Sequence, residues 1–312
     1  MEMKKHRITV GLCAYNAART IQEAIDSILN QSASWHELIV LDDGSTDETL
    51  TFATKIAKKY TSRIRIIQQE NRGIGEARNR ILAEAQGEWL AYIDADDVWH
   101  PLKLARQMAC ISTQSRWGAL VTRAWSWKDG DNPMESASFD FDSTPIATPY
   151  PKLEHQLLIK NFDFHPASVL WRTELLRNFG GYSTDRNGED FAPFLNMALA
   201  QIPIGLLDER LYGGRISEGS LTHHSTNHYR GAIARLKAVD AALSRNMDGK
   251  GQLSKENLKL LHQGRQRFLR WAIYGVRKGY LPRDRRALAH PLLMEIQPIH
   301  SRWWEWLKLY LG

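Results

Sequence analysis

The sequence predicts an α/β fold with a mostly parallel central sheet, followed by a helical C-terminal region. Three observations carry that expectation. Over roughly the first 115 residues, short apolar and β-branched runs alternate with stretches whose apolar residues recur every three or four positions, the strand-helix alternation that builds right-handed crossovers. Each run closes on a polar cluster: Ala14-Tyr15-Asn16, then Asp42 to Asp47, then Asp94 to Asp97. Ligands bind beyond the carboxyl ends of parallel strands, so the three clusters should converge on one rim. Past residue 226 the strand pattern gives way to helical periods and a basic, Trp-rich terminus.

Taken in order, residues 8–13 read as a first strand. Residues 19–30 place Ile21, Ala24, Ile25, Ile28 and Leu29 on one helical face, and Thr20 with Glu23 resembles a capping box. A second strand over 37–41 runs into Asp42-Asp43-Gly44-Ser45-Thr46-Asp47. There Gly44 permits a tight turn, and Ser45 or Thr46 is suited to cap a helix over 48–60. A third strand spans 64–68. Gly73-Ile-Gly75 then opens a helix reaching about residue 85; it lacks the third glycine of a dinucleotide fingerprint and follows the wrong strand for one. Arg78 on that helix suits either a bidentate contact with an anion or a salt bridge to a rim carboxylate. Residues 89–93 form a buried strand. A helix with Pro101 in its first turn is expected over 100–114, a strand over 120–125 and a long loop over 129–151. A helix near 153–159, a strand in the second half of 165–172, a turn at Gly180-Gly181-Tyr182 and a helix over 191–200 follow. Asp190, just ahead of that helix, reads as a cap or as a functional acid. Two further helices, over 232–243 and 257–276, are separated by a glycine-rich break at 249–251.

The chemistry concentrates in Trp89-Leu-Ala-Tyr-Ile-Asp-Ala-Asp-Asp97. An apolar strand ending in three carboxylates cannot keep them inside the sheet, because an unpaired buried charge is too costly. They belong at the sheet's mouth, paired with a cation or bound to a metal. Asp94 and Asp96 would share one side of an extended chain. Hard oxygen donors at that spacing suit Mg²⁺ or Mn²⁺, with a substrate phosphate completing the shell. A solvated acidic turn before a helix N-terminus accounts for the same residues.

With 43% hydrophobic and 24% charged residues in a chain of 312, the composition is globular: one large domain, or one with an appendage. Cys13 and Cys110 lie far apart and form no metal-ligand pattern, which points to a reducing compartment. The N-terminus shows no apolar signal sequence and the chain no 18-residue apolar span, so a cytoplasmic location is expected. The net charge of +6 hides an asymmetry. Residues 230–312 hold 17 Lys/Arg and 6 Asp/Glu, a balance of +11, which leaves −5 for residues 1–229. Trp303, Trp304, Trp306, Leu307, Leu309, Tyr310 and Leu311, interleaved with Arg302 and Lys308, suit either an anionic membrane surface or a helix packed on the main domain.

From Val10 to about Met108 the chain resembles the family 2 glycosyltransferases, inverting enzymes of the GT-A fold. The resemblance rests on Ala14-Tyr15-Asn16, Asp42-Asp43-Gly-Ser-Thr-Asp47, Asn71-Arg-Gly with Ala77-Arg78-Asn79, Gly87-Glu-Trp and Asp94-Ala-Asp96-Asp97. Pro166-Ala-Ser-Val-Leu, Gly180-Gly-Tyr182 and Glu189-Asp190 extend it to about residue 222. It implies a GT-A domain over 1–226, with a nucleotide-sugar half at 1–115 and an acceptor half at 116–226, ahead of a separate region at 227–312. It implies that Tyr15 and Asp43 contact the nucleobase, usually uracil, with the Ala14 backbone beside it. Asp94 would lie near the ribose, Asp96 would hold Mg²⁺ or Mn²⁺ on the diphosphate, and Asp190 would be the general base. His223 falls where some relatives supply a further metal ligand; a solvated histidine reads equally from the sequence. The implied partners are a UDP-sugar donor and a glycan or lipid-linked glycan acceptor. The polymer-synthase motif Gln-x-x-Arg-Trp is absent, which suits transfer of one or a few sugars.

Two other classes compete. Sugar-nucleotide nucleotidyltransferases also use Mg²⁺ and carboxylates, but carry a Gly-rich basic loop where this chain has Ala14-Tyr-Asn-Ala-Ala18. A non-catalytic carbohydrate- or membrane-binding module fits the eleven tryptophans but leaves Asp96 and Asp190 without a purpose. The basic balance comes with no nucleic-acid motif, and no nucleic-acid partner is expected.

Overall fold

A computed structural model describes residues 6–60, 63–135, 143–160, 164–185, 188–216, 226–248, 252–277 and 294–295. Its strands are β1 (Ile8–Ala14), β2 (Glu37–Asp42), β3 (Ile64–Gln68), β4 (Trp89–Asp94), β5 (Val98–Trp99), β6 (Ala119–Lys128), β7 (Ala147–Pro149), β8 (Leu170–Arg172) and β9 (Ile204–Ile216). Its helices are α1 (Ile21–Leu29), α2 (Thr49–Ala57), α3 (Ile74–Glu84), α4 (Lys103–Thr113), α5 (Leu153–Leu158), α6 (Thr173–Asn178), α7 (Phe191–Leu199), α8 (Thr226–Met247) and α9 (Lys255–Arg277). A 3₁₀ turn occupies Pro166–Ser168.

The strands join in the order β3-β2-β1-β4-β8-β6-β9-β5, with β7 on β9. β3, β2, β1 and β4 run parallel, and β6 is parallel to β9. β8 is antiparallel to both β4 and β6, and β5 and β7 are antiparallel to β9. Every residue of β1 and β2 is buried, as strands covered on both faces require. Val10, Leu12, Leu38 and Val40 pack with Ile21, Ile25 and Ile28 of α1, Ala53 and Ile56 of α2, and Leu104 and Ile111 of α4. The alternate residues look the other way. A Cβ on Gly11 would stand 2.7 Å from Ile81 of α3, so glycine lets α3 approach the sheet closely.

Two caps differ from the sequence expectation. Thr20 stands at the N-cap of α1 but its hydroxyl donates back to the Ala17 carbonyl, and Glu23 is taken by an ion pair with Arg215. The first turn of α2 is held by Asp47, whose Oδ1 accepts the Thr49 N–H at 3.0 Å; Ser45 and Thr46 are occupied with Asn16. Strands β5 and β9 and helix α6 carried no sequence expectation, and β7, paired with β9, lies inside the stretch 129–151 expected to be a long loop.

The chain groups into two units. The first, Met1–Pro151, Asp163–Tyr182 and Gln201–Ser217, holds the sheet. The second, Lys152–Phe162, Ser183–Ala200 and Glu218–Gly312, holds α5, α7, α8 and α9. It therefore draws on stretches that the sequence placed in the acceptor half. Within it, Phe191 meets Phe268 edge-to-face at 5.5 Å. No helix among the described residues is long and apolar enough to cross a membrane. Cys13 and Cys110 are buried and not joined in a disulfide.

Candidate active site

Strand register brings the polar clusters of the first unit together. Ala14, the last residue of β1, lies opposite Asp42, the last of β2; Cys13 lies opposite Asp94, the last of β4. Three loops thus leave one edge of the sheet side by side.

The first two loops are tied to each other. Asn16 adopts a left-handed φ of 51°, which its short polar side chain tolerates. Its N–H donates to Ser45 Oγ at 2.9 Å, and its Oδ1 accepts the Thr46 N–H at 2.8 Å. Ala17 N–H donates to Thr49 Oγ1, and Ala18 N–H to Asp47 Oδ2. Burial works to raise the Asp47 pKa, but the bonds from Thr49 and Ala18 outweigh it and hold the carboxyl below its ordinary value. Tyr15 beside this junction is 51% exposed, a large ring left in solvent.

Asp43 is buried at 5% exposure, and its N–H donates to the Ala14 carbonyl at 2.8 Å. Its carboxylate accepts from Gln69 Nε2 at 2.8 Å and from the N–H groups of Arg72 and Gly73 at 2.9 Å each. Gly44 makes this closure possible: its φ is +75°, and a Cβ there would sit 2.7 Å from the Asn71 nitrogen. A carboxylate has about four acceptor positions, so the bonds from the described residues leave one of Asp43's open.

The third loop is the acidic turn. The chain bends directly after Asp94, with the Asp97 N–H donating to the Asp94 carbonyl at 3.1 Å. Asp94 and Asp96 therefore do not share one side of an extended strand. Arg78, 6% exposed, pairs through Nη2 with Asp94 Oδ1 at 2.9 Å, so of the two readings of Arg78 the ion pair is present. Its guanidinium also lies 5.4 Å from the Tyr182 ring centre. Asp97 is buried, accepting the Tyr212 hydroxyl at 2.6 Å and the Arg215 N–H at 2.9 Å. Arg215 then closes the turn: Nε donates to the Asp96 carbonyl at 2.8 Å, Nη1 to Asp129 at 2.7 Å, and Nη2 to Glu23.

No side-chain donor reaches the Asp96 carboxylate among the described residues, and it is only partly buried. Burial and the neighbouring Asp94 charge raise its pKa against the pull of Arg215. Asp97 is pushed well above the carboxylate range by burial and by Asp94 and Asp96, despite its bonds to Tyr212 and Arg215. Three carboxylates thus crowd one turn with too little positive charge, which is the donor chemistry a hard divalent cation fits. Among the described residues no three His, Cys, Asp or Glu side chains form a ligand cluster.

In the second unit, Asp190 precedes α7 with φ −77° and ψ −17° and makes no side-chain cap hydrogen bond. Its carboxylate is not spent on its own helix. His223 and the tryptophans at 303, 304 and 306 lie outside the described residues. The sequence reading passed over Tyr212 and the clamp made by Arg215, because both sit on β9, which had no visible strand period.

Residues 9–180 match the profile of the glycosyl transferase family 2. The Bacillus subtilis (strain 168) protein EpsE, named as a glycosyltransferase, is 30% identical over 181 residues, 58% of this chain and 61% of its own length. Three other curated relatives are spanned over only 26% to 44% of their lengths. Among solved structures, S. aureus TarS 1–349 in complex with UDP-GlcNAc superposes with a TM-score of 0.62 at 19% identity, over 90% of this chain and 83% of that one. The mannosyltransferase PcManGT of Pyrobaculum calidifontis, in complex with GDP-Man and Mn²⁺, gives 0.59 at 20% identity, over 99% and 85%. The two structures show a shared fold, the GT-A fold, and with a profile spanning more than half of its length the chain belongs to glycosyltransferase family 2.

Proposed function

We propose that the protein is an inverting glycosyltransferase that moves a sugar from a UDP-sugar to a hydroxyl of a cell-envelope glycan acceptor, such as a lipid-linked oligosaccharide. The observation that carries this reading is the in-register convergence of Ala14, Asp43 and the Asp94–Asp97 turn on one sheet edge. That edge offers an exposed aromatic ring, a fixed acceptor and a cation-demanding turn, the parts a nucleoside diphosphate needs. TarS with UDP-GlcNAc and PcManGT with GDP-Man support a nucleotide-sugar donor.

In this reading Tyr15 stacks on the base, and the remaining acceptor position of Asp43 takes the N3–H of uracil. The Ala14 backbone lies beside them. Arg78 holds Asp94 toward the ribose, and Asp96 holds the Mg²⁺ or Mn²⁺ ion, with His223 a further candidate ligand. When bound, the cation neutralises charge developing on the leaving diphosphate. Asp190 is assigned the acceptor's proton on the strength of the Glu189-Asp190 motif. A single displacement from the opposite face inverts the anomeric centre. The half-domain roles of 1–115 and 116–226 belong to the same proposal, as does contact of 227–312 with anionic membrane.

The test is hydrolysis of UDP-glucose, UDP-galactose, UDP-GlcNAc and GDP-mannose by the purified chain with Mn²⁺ or Mg²⁺. A UDP-sugar should be cleaved with metal, and activity should be lost in EDTA and in Asp96→Ala at unchanged melting temperature. Cleavage undiminished by either treatment overturns the metal assignment; cleavage of none of the four sugars overturns the donor class. Calorimetry should show UDP binding tighter than GDP or CMP, and equal affinities would remove Asp43 from base recognition.

A further inference from the structure

We infer that Arg235, from helix α8, is a positioning residue for the reaction: it holds a positive charge against the Glu189-Asp190 turn. The inference rests on the proposed role of Asp190 and lies beyond the segment that matches the family profile, which ends at residue 180.

Four observations converge on it, all within the second unit. Gly188 opens the turn with φ +77°, and a Cβ there would sit 3.0 Å from Arg235 Nη1, so the guanidinium lies against the turn's backbone. The same Nη1 donates to the Gly231 carbonyl at 2.9 Å, one turn back on its own helix, which fixes the far side. The guanidinium lies 5.5 Å from the ring centre of Phe191, the residue after Asp190, and 5.4 Å from that of Trp271 on α9. Burial lowers the Arg235 pKa, and Asp190 and Glu189 offset part of that penalty. A guanidinium flanked by aromatic rings keeps its direction because its planar face packs on them. Only one of its five N–H donors has a hydrogen-bond partner among the described residues, so its charge acts on the turn through space.

Charged groups around the turn include Glu189 beside Asp190 and Arg235 from α8; Arg267 from α9 neighbours Arg235, and its own charge is disfavoured by burial and by Arg235. The Asp185–Lys237 ion pair ties the start of the segment to α8. Arg235 is therefore the near cation, and a near cation favours the ionised carboxylate that accepts a proton.

The experiment uses the full chain as wild type, Arg235→Gln, Arg235→Lys and Asp190→Asn. The first readout is the carboxyl NMR titration of Asp190, assigned by its loss in Asp190→Asn. In Arg235→Gln the midpoint should rise, and Arg235→Lys should bring it back toward wild type. The second readout is hydrolysis of UDP-GlcNAc with Mn²⁺, or of whichever donor the four-sugar screen selects, with water as acceptor. The acidic limb of kcat/KM should move up with the midpoint while KM for the sugar nucleotide stays put. A variant that melts earlier but leaves midpoint and limb in place overturns the inference and makes Arg235 a packing residue. If Arg235→Gln does not fold, Arg235→Met, which keeps an unbranched stem without the charge, replaces it: its midpoint should rise, and an unmoved midpoint overturns the inference. If Asp190→Asn hydrolyses the donor normally while the Asp190 midpoint still follows residue 235, the proton-acceptor role of Asp190 falls and the Arg235 coupling stands.

Discussion

Asp43 and Asp96 stand at the ends of neighbouring loops and are prepared for opposite tasks. Asp43 has three hydrogen bonds from a fixed loop and one acceptor position left, so it presents a single direction. Asp96 has crowding carboxylates and, among the described residues, no side-chain donor, so it presents charge. Their types and positions are legible in the sequence, because acids after apolar runs are conspicuous; their environments are not, because those come from residues 69–73 and from Arg215, distant in the chain. Lys103 shows the same limit. It is fully buried on α4, with Nζ donating to Gln107 at 2.9 Å and lying 4.3 Å from the Trp99 ring centre, and burial lowers its pKa to about 7. Between that value and the ordinary lysine value the unfolded chain holds a proton that the folded chain has released. Stability therefore rises with pH across this window, and the full cost of the buried charge is present below it. Lys103→Met removes this dependence. The melting temperature of the variant minus that of wild type should fall steadily from about pH 7 to about pH 10, and a constant difference would show that Lys103 does not titrate there.

Among the elements, those with a clean local period were legible. β1 to β4 and α1 to α4 form close to where the apolar patterns place them. β9 was not, and its residues say why. Ile204-Gly-Leu-Leu-Asp-Glu-Arg-Leu-Tyr-Gly-Gly-Arg-Ile216 has three glycines and a charged middle, and its pairing with β6 shifts register around Arg123. A Cβ on Gly213 would collide with Trp125 at 2.6 Å and one on Gly205 with Leu120 at 2.5 Å. Gly205 and Gly213 are demanded by large side chains on β6 and its flank, information that β9 alone does not carry. The Gly180-Gly181-Tyr182 turn was visible, but its clamp was not: Asn79 of α3 donates to the Tyr182 carbonyl and accepts the Tyr182 N–H, both at 2.8 Å. Gly181 has φ +69°, and a Cβ there would stand 2.3 Å from Asn79 Oδ1. Gly181→Ala should therefore lose about 1–3 kcal/mol in urea unfolding. It should also raise the KM for the sugar nucleotide, because Tyr182 packs on Arg78, the partner of Asp94. Unchanged stability would mean that the turn is not held by Asn79.

At the scale of the whole molecule the charge is divided: residues 230–312 carry +11 and the rest −5. The sequence shows this division plainly, whereas the grouping of residues 152–162 and 183–200 with the C-terminal helices depends on long-range packing. On α8 and α9, Arg230, Lys255, Lys259 and Arg270 are exposed. Each basic residue held near an anionic leaflet contributes about 1 kcal/mol, and the attraction fades over a Debye length. A proposed acceptor on a lipid carrier gives such an attraction a use, since it would keep the enzyme where its substrate is anchored. The full chain should sediment with vesicles containing phosphatidylserine and not with neutral phosphatidylcholine ones. Binding should weaken several-fold as salt rises from about 0.05 to 0.5 M. Deleting residues 299–312 removes the terminal tryptophans and should weaken binding further while leaving donor hydrolysis unchanged. Binding indifferent to lipid charge and to salt would defeat the membrane proposal, and an insoluble truncated chain would show instead that the terminal tryptophans are part of the protein's core.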